Sequence, residues 1–246
     1  MMTKRVKYLI LPLLVGLLVE GGRAGGFSGP SPPSGDWETQ RRGLVQELRR
    51  EGIADPRVLD AMLKAPRHEF VPPAWRNLSY LDRPLPIGSG QTVSQPYIVA
   101  YMSQALALKP TDRLLEIGTG SGYHAAVLSL LAGQVYTIEI IADLGIQARQ
   151  KLETLGYKNI ELRIGDGYQG WLEKAPFDAI ILTAAPAKIP QPLLDQLGLG
   201  GRLIAPVGED FQELVLVERD SSGYRTKFLI PVRFVPMTGR AMQEKP

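Results

Sequence analysis

The chain has 246 residues, 44% of them hydrophobic and 22% charged, enough for one well-filled core with an appendage. Its 28 Lys and Arg stand against 25 Asp and Glu, a net charge of +3 scattered along the chain, so charge offers no argument for a nucleic-acid partner. Cysteine is absent and His68 and His124 are the two histidines, which excludes disulfides, thiolate catalysis and cysteine- or histidine-rich metal centres.

Residues 1–24 read as a signal-like leader. Lys4, Arg5 and Lys7 precede an apolar run of twelve residues, 8–19, too short for a stable membrane span. Gly22, Ala24 and Gly25 offer small residues for cleavage. A vestigial leader or a misassigned start codon is the alternative. Residues 25–35 are rich in Gly, Pro and Ser and read as a flexible linker.

Folded sequence is expected from about Asp36. Residues 36–51 suit a helix capped by Asp36, with Leu44, Val45 and Leu48 as its apolar stripe. A second helix starts at Asp55-Pro56, with Asp55 as cap and Pro56 at the first helical position, and carries Val58, Leu59, Met62 and Leu63. This helical prelude should pack beside a sheet. An aromatic, proline-dotted loop follows to Pro86. His68 lies before it without a carboxylate, serine or metal partner at recognisable spacing, and reads as structural.

Residues 88–96, GSGQTVSQP, form the first informative stretch. Ser94 can cap a helix with Pro96 near its first turn, running through Ile98, Met102, Leu106 and Leu108 until Lys109-Pro110. Alternatively, a flexible glycine loop and a helix N-terminus present hydroxyls and N–H donors to an anion, and a carboxylate substrate would suit them.

The chain is organised around residues 114–122, LLEIGTGSG. They read as a buried strand running into a glycine-rich turn, with helix-compatible sequence over 123–131. Such a turn brings backbone N–H groups and a helix N-terminus to a nucleotide. Residues 135–138 form a second strand ending at Glu139, about 20 positions past the glycines, where an acidic residue holds a ribose. The glycines are Gly118, Gly120 and Gly122, and Tyr123 occupies the place where the dinucleotide fingerprint has its third glycine. The acidic residue before the turn is Glu116. A tight turn without a ligand is the bland alternative.

Three further strands follow. Residues 160–164 lead to Gly165-Asp166-Gly167, which alone is an ordinary turn. Residues 177–182 are mostly apolar, as in a parallel sheet covered on both faces. Thr183 to Pro186 sit at their C-terminal end, where ligands bind in open α/β sheets. A short helix over 192–197 precedes a strand over 202–207. Residues 213–219 and 224–230 alternate about DSSG and read as a hairpin. The pattern predicts an α/β, Rossmann-like, doubly wound and mostly parallel sheet with an antiparallel edge hairpin and an N-terminal helical extension.

The E-x-G-x-G-x-G turn resembles the first motif of methyltransferases that bind S-adenosylmethionine. Together with QTVSQP (91–96), GDG (165–167), LDQL (194–197) and GGRL (200–203), it makes residues 40–243 resemble the protein-L-isoaspartate O-methyltransferase family. The QTVSQP loop is the specific signal. The leader is the departure from a family that is typically cytoplasmic.

The resemblance implies a methyltransferase domain over 36–246, with a helical and substrate-loop part over 36–110 and a cofactor sheet with C-terminal tail over 111–246. It implies S-adenosylmethionine as cofactor, S-adenosylhomocysteine as product, and no metal. Glu116, Gly118, Gly120, Gly122, Glu139, Asp166 and Gly167 would hold the cofactor, with Asp166 at the adenine amino group and Thr238 and Gln243 of the tail nearby. Gln91, Thr92, Val93 and Ser94 would bind substrate, with Ser94 holding the acceptor carboxylate. That acceptor would be the free carboxylate of isoaspartyl residues in damaged proteins.

A carboxylate attacks a sulfonium methyl without first losing a proton, so no general base is needed. Positioning is then the protein's task, worth about 7–11 kcal/mol in favourable cases. A methyltransferase of the same fold with another acceptor, or a non-catalytic adenosylmethionine-binding module, would share the glycine turn. A monomer without nucleic acid is expected. The leader points to export, whereas cofactor supply points to the cytoplasm, which is the location expected here.

Overall fold

The computed structural model describes residues 36–243, so the leader and linker calls over 1–35 lie outside the described residues. Two helices open the fold, α1 (Trp37–Arg50) and α2 (Pro56–Lys64). Asp36 accepts from the Glu38 N–H and Asp55 from the Arg57 N–H, so both caps stand where the sequence puts them. Arg67–Phe70 and Pro73–Leu78 then form single 3-10 turns.

The expected glycine loop is a small antiparallel hairpin, β1 (Leu85–Gly88) with β2 (Gln91–Val93), turning at Ser89 and Gly90. Helix α3 (Pro96–Leu106) follows, and here the structure corrects the sequence reading. Pro96 occupies the first helical position, which makes Gln95 the N-cap, and no side chain of that residue caps the helix. Asp82 does so instead: Oδ1 accepts from the Tyr97 N–H at 2.7 Å and Oδ2 from Gln95 Nε2 at 2.6 Å. Ser94 is therefore not a cap. The helix ends at Leu106 because Ala107 turns left-handed, φ 46°, before Lys109-Pro110 is reached.

The main sheet holds β3 (Arg113–Ile117), β4 (Gln134–Glu139), β5 (Ile160–Ile164), β6 (Phe177–Leu182), β7 (Leu197–Val207), β8 (Gln212–Asp220) and β9 (Gly223–Val232). Their spatial order is β5-β4-β3-β6-β7-β8-β9. The first five are parallel and the last three meander antiparallel, so β8 and β9 are the expected edge hairpin. Strand β7 begins at Leu197, earlier than its apolar run suggests, and α6 is the short Gln191–Asp195.

Helices α4 (Tyr123–Ser129) and α5 (Ala142–Thr154) cover one face with α1 to α3. Helix α6, Tyr168, Trp171 and Met237 cover the other. Successive strand residues point to opposite faces, so Leu114 joins the first core and Leu115 and Ile117 the second. Both faces are thus buried, which explains the nearly continuous apolar strands.

Candidate active site

Strand order reverses between β3 and β6, so the loops leaving their C-terminal ends diverge and open a crevice. A cavity of about 830 Å³, open to solvent, lies there.

Its floor is the glycine turn. Gly118 takes φ 101°, and a Cβ on it would stand 2.3 Å from Thr183 Oγ1. Only glycine permits that conformation and so close an approach of the segment after β6. Thr183 Oγ1 donates to the Ile117 and Gly118 carbonyls, at 3.0 and 2.5 Å. The N–H groups of Gly118 and Thr119 both reach the Ile138 carbonyl, at 2.8 and 3.3 Å, which ties the turn to β4.

Glu139 closes this knot. Its Oε2 accepts from the Gly120 N–H at 2.7 Å and its Oε1 from the Ile141 N–H at 2.9 Å. Each oxygen keeps a further lone pair, and the side chain lines the cavity. Asp166, after β5, repeats the arrangement. Oδ1 accepts from the Tyr168 N–H at 2.9 Å and Oδ2 from the Arg240 N–H at 2.8 Å. The second bond comes from the C-terminal tail. That tail is laid along the segment after β6, where the Ala185 N–H reaches the Val235 carbonyl and the Met237 N–H reaches the Ala185 carbonyl. Pro236, Met237 and Thr238 thereby enter the cavity wall.

Gln91, Thr92, Val93 and Ser94 line the same cavity. Ser94 is half-buried, and its hydroxyl has no hydrogen-bond partner among the described residues. His124, from the first turn of α4, also lines it. Ser103 Oγ donates to the Val99 carbonyl at 2.8 Å, so its 3.2 Å contact with His124 Nε2 makes the imidazole the donor there. Burial pushes the His124 pKa down to about 3, so the ring stays neutral.

Of the residues expected at the cofactor, Gly118, Gly120, Glu139, Asp166, Gly167 and Thr238 reach this wall. Glu116, Gly122 and Gln243 are not among its lining residues. Glu116 is wholly buried within the sheet layer. Its Oε2 accepts from Thr137 Oγ1 at 2.6 Å, that hydroxyl meets Thr119 Oγ1 at 2.6 Å, and Oε1 has no partner. Burial pushes its carboxyl up to about 8. Gly122 packs against α5, where a Cβ would meet Leu152 at 3.3 Å and Ala148 at 3.4 Å. Gln243 is exposed just past the 3-10 turn Gly239–Met242.

Thr119, Ser121, Ile140 and His124 join the site without having been singled out. The first two were legible, as the residues between the glycines; Ile140 and His124 carry no such signal. His68 lies elsewhere, stacked on Trp37 at 4.7 Å and bonded through Nδ1 to Tyr80 at 2.6 Å. Among the described residues no group of three acidic or histidine side chains could hold a metal ion, and no helix is long and apolar enough to cross a membrane.

With that geometry in place, similarity to known proteins identifies the lineage. A family model described as protein-L-isoaspartate(D-aspartate) O-methyltransferase matches residues 39–242. The chain is 54% identical over 202 residues to a protein-L-isoaspartate O-methyltransferase of Gloeobacter violaceus, covering 81% of this chain and 98% of that one. Among solved structures, a protein-L-isoaspartate O-methyltransferase superposes with TM-score 0.75 at 29% identity, covering 82% of this chain and 67% of the other. A Plasmodium falciparum protein assigned to the same activity, solved with S-adenosyl-L-homocysteine, gives 0.70 at 27% identity, covering 80% and 98%. The chain belongs to the protein-L-isoaspartate(D-aspartate) O-methyltransferase family.

Proposed function

We propose that this protein uses S-adenosylmethionine to methylate the free carboxylate of L-isoaspartyl residues in damaged proteins. The observation that carries this reading is one cavity lined by both the Glu139-anchored glycine turn and the Gln91–Ser94 stretch. The family's activity and the adenosylhomocysteine complex of the Plasmodium relative support it.

The residues present fit the cofactor. Glu139 and Asp166 are the acidic side chains of the wall, and no Lys or Arg lines it among the described residues, which suits a ligand carrying a sulfonium cation. The spare lone pairs of Glu139 would take the ribose hydroxyls, and those of Asp166 the adenine amino group. Gly118, Gly120 and Gly167 leave room for the ligand, and Thr238 borders it from the tail. Glu116 and Gly122 act behind the wall, one beneath the turn and the other against α5.

S-adenosylmethionine, when bound, supplies an electrophilic methyl group that a carboxylate can accept without a base. The chain's own work is therefore placement. Ser94 offers a free hydroxyl to the acceptor carboxylate, and Gln91, Thr92 and Val93 shape the wall beside it. Neutral His124 adds no charge that would compete for that carboxylate. In this reading residues 36–110 present the substrate and 111–246 the cofactor. We read the protein as a cytoplasmic monomer, in the compartment where adenosylmethionine is made, acting on polypeptides and not on nucleic acid.

Labelled methyl transfer to an isoaspartyl peptide and to its aspartyl isomer tests this directly. Incorporation confined to the isoaspartyl form is the expected result. Equal labelling of both, or of neither, refutes it.

A further inference from the structure

A second cleft, of about 640 Å³, lies beside the first and shares Gly120 and Ser121 with it as wall. Ile87, near the turn of the β1–β2 hairpin, forms part of its lining, as do Phe70 and Val71. Its charged residues are Glu69, Arg76 and Lys151. Glu69 is already engaged: Oε1 stands 3.4 Å from His68 Nε2 and Oε2 stands 3.7 Å from Lys151 Nζ. Arg76 is different. Its guanidinium has no ion-pair or hydrogen-bond partner among the described residues, and its Nε is buried without one. A buried donor left unpaired is costly and gains when an acceptor arrives. Two cations against one carboxylate also leave the cleft short of negative charge.

We infer that this cleft is a subsite for an acidic side chain of the polypeptide substrate, next to the isoaspartyl residue, with Arg76 as the residue that selects it. The inference rests on the isoaspartyl reading above. A polypeptide whose reacting residue occupies the first cavity must leave it in both chain directions, and the shared Gly120–Ser121 wall makes the second cleft an adjacent route. The apolar floor of Phe70, Val71 and Ile87 would take the aliphatic stem, and the guanidinium the carboxylate. Arginine suits this because its planar fork matches a carboxylate with two parallel N–H groups.

The test uses the full-length protein and isoaspartyl peptides that carry Glu, Gln or Lys at positions before and after the isoaspartate. Wild-type protein should favour Glu over Lys at one or more of these positions by roughly tenfold in kcat/KM, the scale of one hydrogen bond to a charged group. The preference should fall at high salt. Arg76→Ala should bring the Glu-to-Lys ratio close to one, and Arg76→Glu should invert it. Each ratio is taken within one protein, so a loss of overall activity does not disturb it. Wild-type rates that are the same for Glu, Gln and Lys at every position overturn the subsite, even if the variants fail to fold. So does a preference that survives in Arg76→Ala. Failure to methylate any isoaspartyl peptide, the Gln-flanked ones included, overturns instead the isoaspartyl reading on which the subsite depends.

Discussion

Glu116→Gln removes a buried carboxyl whose proton is controlled by the fold. The side chain is 0% exposed, and burial lifts its pKa from 4.5 to about 8, opposed by the Thr137 hydrogen bond and reinforced by nearby Glu139. In the unfolded chain the group ionises above 4.5, whereas in the folded chain it keeps its proton to about 8. Stability from this source is therefore complete below 4.5 and drains away as pH rises to about 8. That interval, at 1.36 kcal/mol per pH unit, sets a ceiling of about 5 kcal/mol. Urea unfolding of wild type and Glu116→Gln between pH 5 and pH 9 reads it out. The wild-type stability minus that of the variant should decline steadily up to about pH 8 and then level off. A constant offset is expected as well, about 1–3 kcal/mol, because glutamine places N–H donors where Glu116 Oε1 has no partner. The offset does not change with pH, so the slope decides. Parallel profiles for the two proteins would refute the claim that the fold holds Glu116 protonated.

Glu139→Gln should weaken adenosylmethionine binding at least about tenfold by calorimetry, because one carboxylate oxygen becomes an NH2 group facing the Gly120 or Ile141 N–H. Unchanged affinity in a folded variant would remove Glu139 from the cofactor site. Asp82→Ala should cost about 1 kcal/mol of stability through the lost α3 cap, visible as a lower urea midpoint, while Ser94→Ala should cost almost none. A larger loss for Ser94→Ala would restore Ser94 as the cap.

Much of this architecture can be read from the chain, because strands buried on both faces announce themselves as apolar runs. Residues 177–182 are such a run and form β6 as read. The glycine turn is equally legible, since Gly118 is required by both its conformation and its closeness to Thr183. Other parts resist for physical reasons. Helix α5 buries Leu144, Gly145, Ala148 and Leu152, a stripe half made of small residues, and the sequence reading assigns it nothing. The cap of α3 comes from Asp82, thirteen residues before Gln95 and fifteen before Tyr97, a long-range contact that local cap rules do not describe. Glu116 shows what motif reading leaves out: the motif places an acid beside the turn, but not its full burial or its bond to Thr137. The wall contributed by Val235 to Thr238 depends on the tail docking at Ala185, which no local pattern encodes.

The most direct test of the site compares Ser94→Ala with Ser94→Asp. Both should bind adenosylmethionine with wild-type affinity and unfold near the wild-type midpoint, because Ser94 neither caps α3 nor bonds a neighbour among the described residues. Methylation of an isoaspartyl peptide should fall in Ser94→Ala and fall further in Ser94→Asp, where two carboxylates would meet in the cavity. Equal rates for the two folded variants would contradict the placement of the acceptor carboxylate at Ser94.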